Sequence, residues 1–391
     1  MNIDELRIVG STQTNVVMTA ELTRVLTRAL KRRLPKPPRK EGLGSLVMPF
    51  DAELAWAATT YMRTPTRVLW DVCRSDAKRL EPLYDDVLND LLEDRRTLWR
   101  DGDGISVEAR HIDDFAAGER QVVGTVKNAI IDAAKRRGAR LHVDPDRPAA
   151  RWVARLDDRG EIVVSIDLGG GSLSQRGWRR EAGDAPLREH LAAVLLMLAR
   201  FDPRSDVLVD PMCGSGTIPI EAVHAARATP RKASTLAVLG LDRPAEPLFA
   251  DARPIVIGCD HDLGVLAAAR DNAKAAKVTA DVTWQRADIG TLNPEMIADI
   301  VRERGGEPAP GLLLSNPPYG ERLDEADLRG LYTVIGETML KFRGWRAGFI
   351  VGSPLFEEVL YRIVGEPRIK KPLANANLRA YFYLYDDSGG R

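Results

Sequence analysis

The sequence predicts a two-part α/β chain, with a mixed α+β first half and an open, Rossmann-like parallel sheet in the second. Three observations predict it. Up to about residue 167, helical and extended patterns mix without a fixed order; from 187 onward, short apolar strands and amphipathic helices alternate. Within that second half, a glycine-rich turn at 210–217 joins a strand to a helix. At 391 residues the chain is long enough for two or three units.

Taken in order, Met18, Leu22, Val25, Leu26 and Leu30 recur at helical spacing, so a helix is expected over about 17–34. Pro35, Pro37 and Pro38 end it in a basic loop. Helices are expected over 51–60 and 80–92, and strands over 45–49, 66–72 and 105–109. A helix over 121–137 carries Val122, Val126, Ile130 and Ala134 on one face. Two strands, 151–156 and 161–167, flank the Asp157-Asp158-Arg159-Gly160 turn as a hairpin. The irregular stretch 169–186, opening with Gly169-Gly170-Gly171-Ser172, is the expected connector. Beyond it, helices are expected over 187–198, 218–226, 263–275 and 328–342, and strands over 207–209, 255–258, 282–286, 312–315, 347–352 and 381–385. The organisation read from this is 1–70, 71–168, a connector at 169–186, and 187–391.

Composition narrows the function classes. Lys+Arg and Asp+Glu both number 56, so no global field draws in a polyanion, and any nucleic-acid contact must come from local basic stripes. Three such stripes exist: Arg24 to Lys40, then Lys135, Arg136, Arg137 and Arg140, then Arg176, Arg179 and Arg180. Solvated helix faces explain each of them equally well. Cys73, Cys213 and Cys259 are far apart and form no CxxC pair, which argues against a disulfide framework or a metal cluster. No apolar run reaches membrane-spanning length and the N-terminus has no secretory core, so a cytoplasmic protein without a membrane or metal partner is expected.

The most informative segment is Asp210-Pro211-Met212-Cys213-Gly214-Ser215-Gly216-Thr217. Paired glycines allow a tight turn and close approach of a ligand, and the helix that follows presents free N–H groups. No Lys-Ser/Thr pair follows, so this is not a nucleotide phosphate loop of the Walker type, and Pro219 stands where a full GxGxxG would need glycine. Asp260 ends the next strand, where a carboxylate can accept two ribose hydroxyls, and Asp288 follows the strand after that. Singly each aspartate reads as a helix cap or turn residue; in this order they favour a cofactor site.

After the strand at 312–315 comes Asn316-Pro317-Pro318-Tyr319. Two prolines stiffen the backbone and remove two N–H donors, leaving carbonyls free to accept from a substrate N–H. The Asn316 side-chain oxygen and the Pro317 carbonyl are suited to hold the two hydrogens of an exocyclic amine, and Tyr319 to stack on its ring. No histidine is needed, although His261 adjoins Asp260, and Cys213 reads as a small packing residue.

The segments DPMCGSGTIPIEA (210–222) and LLLSNPPYGERL (312–323) resemble the motifs of the THUMP-domain RNA guanine-N2 methyltransferases, in pattern those of the RlmL methyltransferase half and TrmN-type enzymes. RGWRREAGDAPLREHLAAVLL (176–196), GCDHDLGVLAAARDNAKAAKV (258–278) and LANANLRAYFYLY (373–385) are similar to further parts of that family. The resemblance implies an S-adenosylmethionine-dependent methyltransferase sheet over 187–391, a ferredoxin-like region over 1–70 and a THUMP-like RNA-binding domain over 71–168. It implies S-adenosyl-L-methionine held by Asp210, Met212, Cys213, Gly214, Gly216, Thr217, Asp260, His261, Asp288, Ile289 and Asn316, and an amine-binding loop of Asn316, Pro317, Pro318 and Tyr319. Arg136, Arg137, Arg140, Arg176 and Arg322 are the RNA-contacting residues it implies, with ribosomal or transfer RNA as partner. Two other functions stay open: an amino-methyltransferase acting on DNA adenine or protein glutamine, and a non-catalytic RNA-binding assembly factor.

Overall fold

A computed structural model describes residues 2–34, 36–180, 187–318, 324–375 and 378–386. The chain divides into two compact units. The first comprises Met1–Gly10, Thr14–Leu173 and Pro230–Glu246; the second comprises Ser11–Gln13, Ser174–Thr229 and Pro247–Arg391.

The first unit runs β1 (Asn2–Val9), α1 (Asn15–Val25), β2 (Arg39–Glu41), β3 (Ser45–Pro49), α2 (Ala52–Tyr61), β4 (Arg67–Ser75), α3 (Leu80–Glu93), β5 (Gly104–Arg110), α4 (Glu119–Arg136), β6 (His142–Val143), β7 (Ala150–Leu156) and β8 (Ile162–Asp167). Its sheet has the order β2-β3-β1-β4-β8-β7-β5-β6, antiparallel except where β5 pairs with β6 and β7. β1, for which no strand was expected, is central to it: Leu6 and Ile8 enter the core while Arg7, on the alternate side, is held by Asp71. The helix expected over 17–34 stops short, because α1 passes into a π turn at Leu26–Leu30 and ends on Lys31 in the left-handed region.

The second unit runs α5 (Glu189–Leu198), β9 (Val207–Asp210) and α6 (Thr217–Arg227). The short α7 (Ser234–Val238) then returns to the first unit. After it come β10 (Ile255–Asp260), α8 (Leu263–Ala275), β11 (Val282–Arg286), α9 (Pro294–Glu303), β12 (Leu312–Ser315), α10 (Glu325–Lys341), β13 (Arg346–Val351), α11 (Pro354–Val364), β14 (Ile369–Asn375) and β15 (Leu378–Tyr385). The sheet order is β11-β10-β9-β12-β13-β15-β14; the first five strands are parallel, and β15 runs antiparallel to both of its neighbours, β13 and β14. β9 and β12 are buried at every position, the pattern of a strand covered on both faces. Side-chain caps start the helices: Asp262 accepts from Gly264 and Val265 at α8, Asn293 from Met296 at α9, and Asp324 from Asp327 at α10.

The domain limits differ from those expected in two places. The 70/71 division falls inside β4, so the expected ferredoxin-like and THUMP-like regions share one sheet. Pro230–Glu246, expected in the C-terminal domain, clusters with the first unit because Arg231 hydrogen-bonds the Thr59, Thr60 and Met62 carbonyls at the end of α2. Strand β14 was not expected; it is an edge strand, where Pro372 is tolerated. Helices α9 and α11 were not expected either. Among the described residues no helix is long and apolar enough to cross a membrane, and no cluster of three or more His, Cys, Asp or Glu residues could hold a metal.

Candidate active site

The strand order fixes where a ligand can sit. From β9 the chain winds outward through β10 to β11, then crosses to β12 and winds the other way. The crevice of such a sheet lies at the carboxyl ends of the two strands that flank the reversal, here β9 and β12. Their register pairs Leu208 with Leu312 and Val209 with Leu313, so Asp210 and Ser315 end the two strands close together. The Ser315 hydroxyl donates to Asp210 Oδ1 at 2.6 Å. The glycine loop and the Asn-Pro-Pro segment therefore start from one hydrogen-bonded pair.

The glycine loop is pinned at several points. Cys213 N–H donates to the Cys259 carbonyl at 2.8 Å, tying the loop to β10, and Gly214 N–H donates to Asp260 Oδ2 at 3.1 Å. Arg179 donates to the Ser215 and Thr217 hydroxyls and to the Leu187 carbonyl; the wholly buried Asn272 donates to the Ser215 carbonyl and accepts from Arg180 N–H. Gly214 and Gly216 both have positive φ, 53° and 85°, which favours glycine. Their surroundings differ. A Cβ on Gly214 would meet nothing within 4 Å, whereas one on Gly216 would lie 2.6 Å from the Trp284 ring. The expectation that both glycines make room for a ligand is thus corrected: Gly214 borders open space, and Gly216 makes room for a tryptophan.

Asp210 is fully buried, and burial pushes its carboxyl up to about 7 against the lowering effect of the Ser315 and Met212 donors. Asp260, also buried, accepts from Gly214 and Asp262 N–H groups, and the exposed His261 ring lies 3.4 Å from it. Met212 is half-buried against the core. Burial raises the Cys213 thiol well above its ordinary range, which keeps it protonated and fits the packing role. Asp288 is exposed and accepts from Gly290 N–H at 2.8 Å, capping a short turn. Ile289 is 6% exposed, and its side chain belongs to the hydrophobic core, so any part it takes in the expected cofactor site falls to its backbone.

In the Asn-Pro-Pro segment, Asn316 Oδ1 is buried and has no hydrogen-bond partner among the described residues. Such an acceptor costs about 1–3 kcal/mol until something donates to it. Pro317 is buried, and the Pro318 carbonyl accepts from the buried Tyr332 hydroxyl at 3.3 Å, which anchors the loop to α10. Tyr319 and Arg322 lie outside the described residues.

The arginines expected to meet RNA separate into three kinds. Arg176 is 3% exposed and paired with buried Glu221 at 3.4 Å, so its expected RNA contact is corrected to an internal ion pair. Arg137 donates to the Leu91 and Arg96 carbonyls and lies over Trp99, which makes it a brace for the end of α4. Arg136 and Arg140 are exposed. Sequence reasoning gave no role to Ser315, Asn272, Trp284 or Tyr332 and read Arg179 only as part of a basic stripe; no residue-type pattern marks them, because their roles arise from contacts between segments 14 to 105 residues apart.

Comparison with known proteins gives the family and the fold. The family described as RMKL-like, methyltransferase domain, matches residues 176–372, half of the chain. The ribosomal RNA large subunit methyltransferase K/L of Chromohalobacter salexigens is 33% identical over 341 residues, covering 78% of this chain and 43% of the relative. The protein of the same name from Magnetococcus marinus is 31% identical over 372 residues, covering 88% of this chain and 48% of its own. The chain thus spans less than half the length of these curated relatives. Among solved structures, TrmN from Thermus thermophilus superposes with a TM-score of 0.70 at 20% identity over 98% of this chain and 99% of its own, a likeness of fold. The chain belongs to the family of RMKL-like methyltransferase domains.

Proposed function

We propose that the chain transfers a methyl group from S-adenosyl-L-methionine to the exocyclic amine of a base in RNA, forming N2-methylguanosine in large-subunit ribosomal RNA, in the cytoplasm. The observation that carries this is the buried Asn316 Oδ1, without a hydrogen-bond partner among the described residues, beside the Ser315–Asp210 pair at the switch point of the sheet. The RNA rests on the names of the curated relatives, ribosomal RNA large subunit methyltransferases, and the base on the resemblance of segments 210–222 and 312–323 to guanine-N2 methyltransferases.

The residues present fit such a donor. Gly214 leaves open, among the described residues, the space a side chain would fill, and the Asp210 and Asp260 carboxyl groups supply acceptors at the carboxyl ends of β9 and β10. When bound, S-adenosylmethionine supplies a methyl group on a cationic sulfonium. Asn316 Oδ1 accepts one amine N–H and the Pro317 carbonyl the other, which draws the nitrogen lone pair out of conjugation with the ring. After transfer the nitrogen sheds one proton, so neither a covalent enzyme intermediate nor a strong base is required, and positioning does most of the catalysis. Tyr332 holds the Pro318 carbonyl and keeps the loop in place.

Asn316→Ala tests this: methyl transfer to ribosomal RNA fragments falls at least about a hundredfold, while affinity for S-adenosylhomocysteine, read by calorimetry, stays within about threefold. Normal transfer by that variant removes the amine-loop mechanism. Mass spectrometry of RNA nucleosides from cells lacking the protein fixes the base. Loss of N6-methyladenine from DNA, or of methylated glutamine from protein, would replace the RNA reading. An unchanged modification profile would favour an assembly factor.

A further inference from the structure

We infer that Trp284 is a positioning residue that sets the shape of the glycine loop, and with it the affinity for the adenosyl donor; this rests on the methyl-donor reading above. Trp284 lies on β11, in register beside Gly258 of β10. A Cβ added at Gly258 would come within 2.5 Å of Cζ3 of its ring, and one added at Gly216 within 2.6 Å of Cη2. Real side chains do not approach so closely, so the six-membered edge of the indole occupies space that two glycines, 42 residues apart in sequence, leave for it. Ala269 of α8 lies 3.2 Å from the same point beside Gly216, and Cys213 Sγ 3.3 Å from the point beside Gly258. The six-membered edge of the ring thus lies against β10, α8 and the glycine loop, while the residue as a whole is half-buried.

Folding stability alone gives a poor account of this residue. The indole Nε1 is buried without a hydrogen-bond partner among the described residues, a cost that a phenylalanine or leucine in the same place would not carry. What the tryptophan supplies is a rigid wedge under the loop. Above it, Cys213 N–H is tied to the Cys259 carbonyl and Gly214 N–H to Asp260. With the wedge in place, Gly216 cannot sink toward the sheet, and Gly214 and Asp260 keep the spacing that leaves the cradle open. A loop held in its binding shape before the ligand arrives loses less freedom on binding.

The test measures S-adenosylhomocysteine binding to the whole chain by calorimetry, alongside thermal midpoints and steady-state kinetics. Trp284→Ala should raise the Kd at least about tenfold, with the KM for RNA and the kcat at saturating donor changed less than about threefold, and Trp284→Phe should fall between. Gly258→Ala should also weaken binding, because its new Cβ displaces the ring, and adding Trp284→Leu to it should restore affinity rather than lower it further. Unchanged binding by Trp284→Ala with only a lowered thermal midpoint overturns the inference. If Trp284→Ala does not fold, the double variant decides, and additive losses overturn it. Should the wild-type chain take up no S-adenosylhomocysteine at all, the function reading itself falls and the inference with it.

Discussion

The two sheets bury charge in opposite ways. In the first unit, Arg7 donates to Asp71 at 2.9 Å, Arg155 reaches the same carboxylate at 2.9 Å, Ser165 donates to its other oxygen at 2.6 Å, and Glu41 pairs with Arg7 at 2.9 Å. Opposite charges on these strands pair with one another in the middle of the sheet, although Arg7 Nη2 and Arg155 Nε have no hydrogen-bond partner among the described residues. In the second unit the central strands are apolar until their last residue: Val207, Leu208 and Val209 lead to Asp210, and Leu312, Leu313 and Leu314 to Ser315. Polar groups appear there together, at one edge: among the described residues Asp210 accepts from the Ser315 hydroxyl and Met212 N–H, and Asn316 Oδ1 meets no donor. In the first unit buried charge meets opposite charge, whereas at the end of β9 and β12 buried acceptors meet no ion-pair partner among the described residues, which is the arrangement the proposed methyl-transfer site calls for.

The largest effect should separate Asp71 from Asp210. Asp71→Ala strands Arg7, 2% exposed, and Arg155, 11% exposed, without their shared anion, and should cost about 3–5 kcal/mol in denaturant unfolding of the first unit. Asp210→Ala leaves only a hydroxyl and one N–H without an acceptor and should cost about 1–2 kcal/mol. Equal losses from the two substitutions would erase the distinction drawn between the sheets.

A smaller effect concerns pH. Asp167, at the end of β8, has Arg67 as a partner, and burial lifts its carboxyl only to about 6; Asp210, with no cation beside it among the described residues, is lifted by burial to about 7. Both folded-state values lie above the ordinary carboxyl value, so the folded chain keeps a proton that the unfolded chain releases. Stability from this source is complete below about pH 4 and is lost as pH rises, ending near 6 for Asp167 and near 7 for Asp210, at up to about 1.4 kcal/mol per pH unit each. Asp210→Asn should remove the part of the slope that extends between pH 6 and 7. A denaturation series in which that interval keeps its slope would show that Asp210 ionises freely.

Much of the second unit was legible because its signals are local. Apolar runs of four residues, the DPMCGSG turn and the Asn-Pro-Pro segment each declare themselves within a dozen positions, and the structure puts their ends in register. The illegible parts are those where meaning comes from a partner far along the chain. Arg176 reads as one of a basic stripe until Glu221 is seen beside it, and Gly216 reads as a ligand glycine until Trp284 fills its space. In the first unit, β1 carries Asp4, Glu5 and Arg7, which hides its alternation until Arg39, Asp71 and Trp70 supply the partners. Charge on a strand is ambiguous in sequence; only the neighbouring strand says whether it is solvated or paired.

The same distinction orders the arginines, with the smallest expected effect. Arg136 and Arg140 are exposed and carry charge that RNA phosphates can use, while Arg176 is held by Glu221. Replacing both Arg136 and Arg140 by Gln should flatten the dependence of log Kd on log salt for a ribosomal RNA fragment by about 1.5–2, one increment per lost phosphate contact, with little change in the thermal midpoint. Arg176→Gln should do the reverse, leaving the salt slope alone and lowering the midpoint, because it leaves buried Glu221 without its ion-pair partner Arg176. Arg137 should side with Arg176, since its guanidinium is spent on the Leu91 and Arg96 carbonyls. A salt slope that responds to Arg176 and ignores Arg136 and Arg140 would mean that the internal pair opens on binding, and that exposure is a poor guide to where this chain holds RNA.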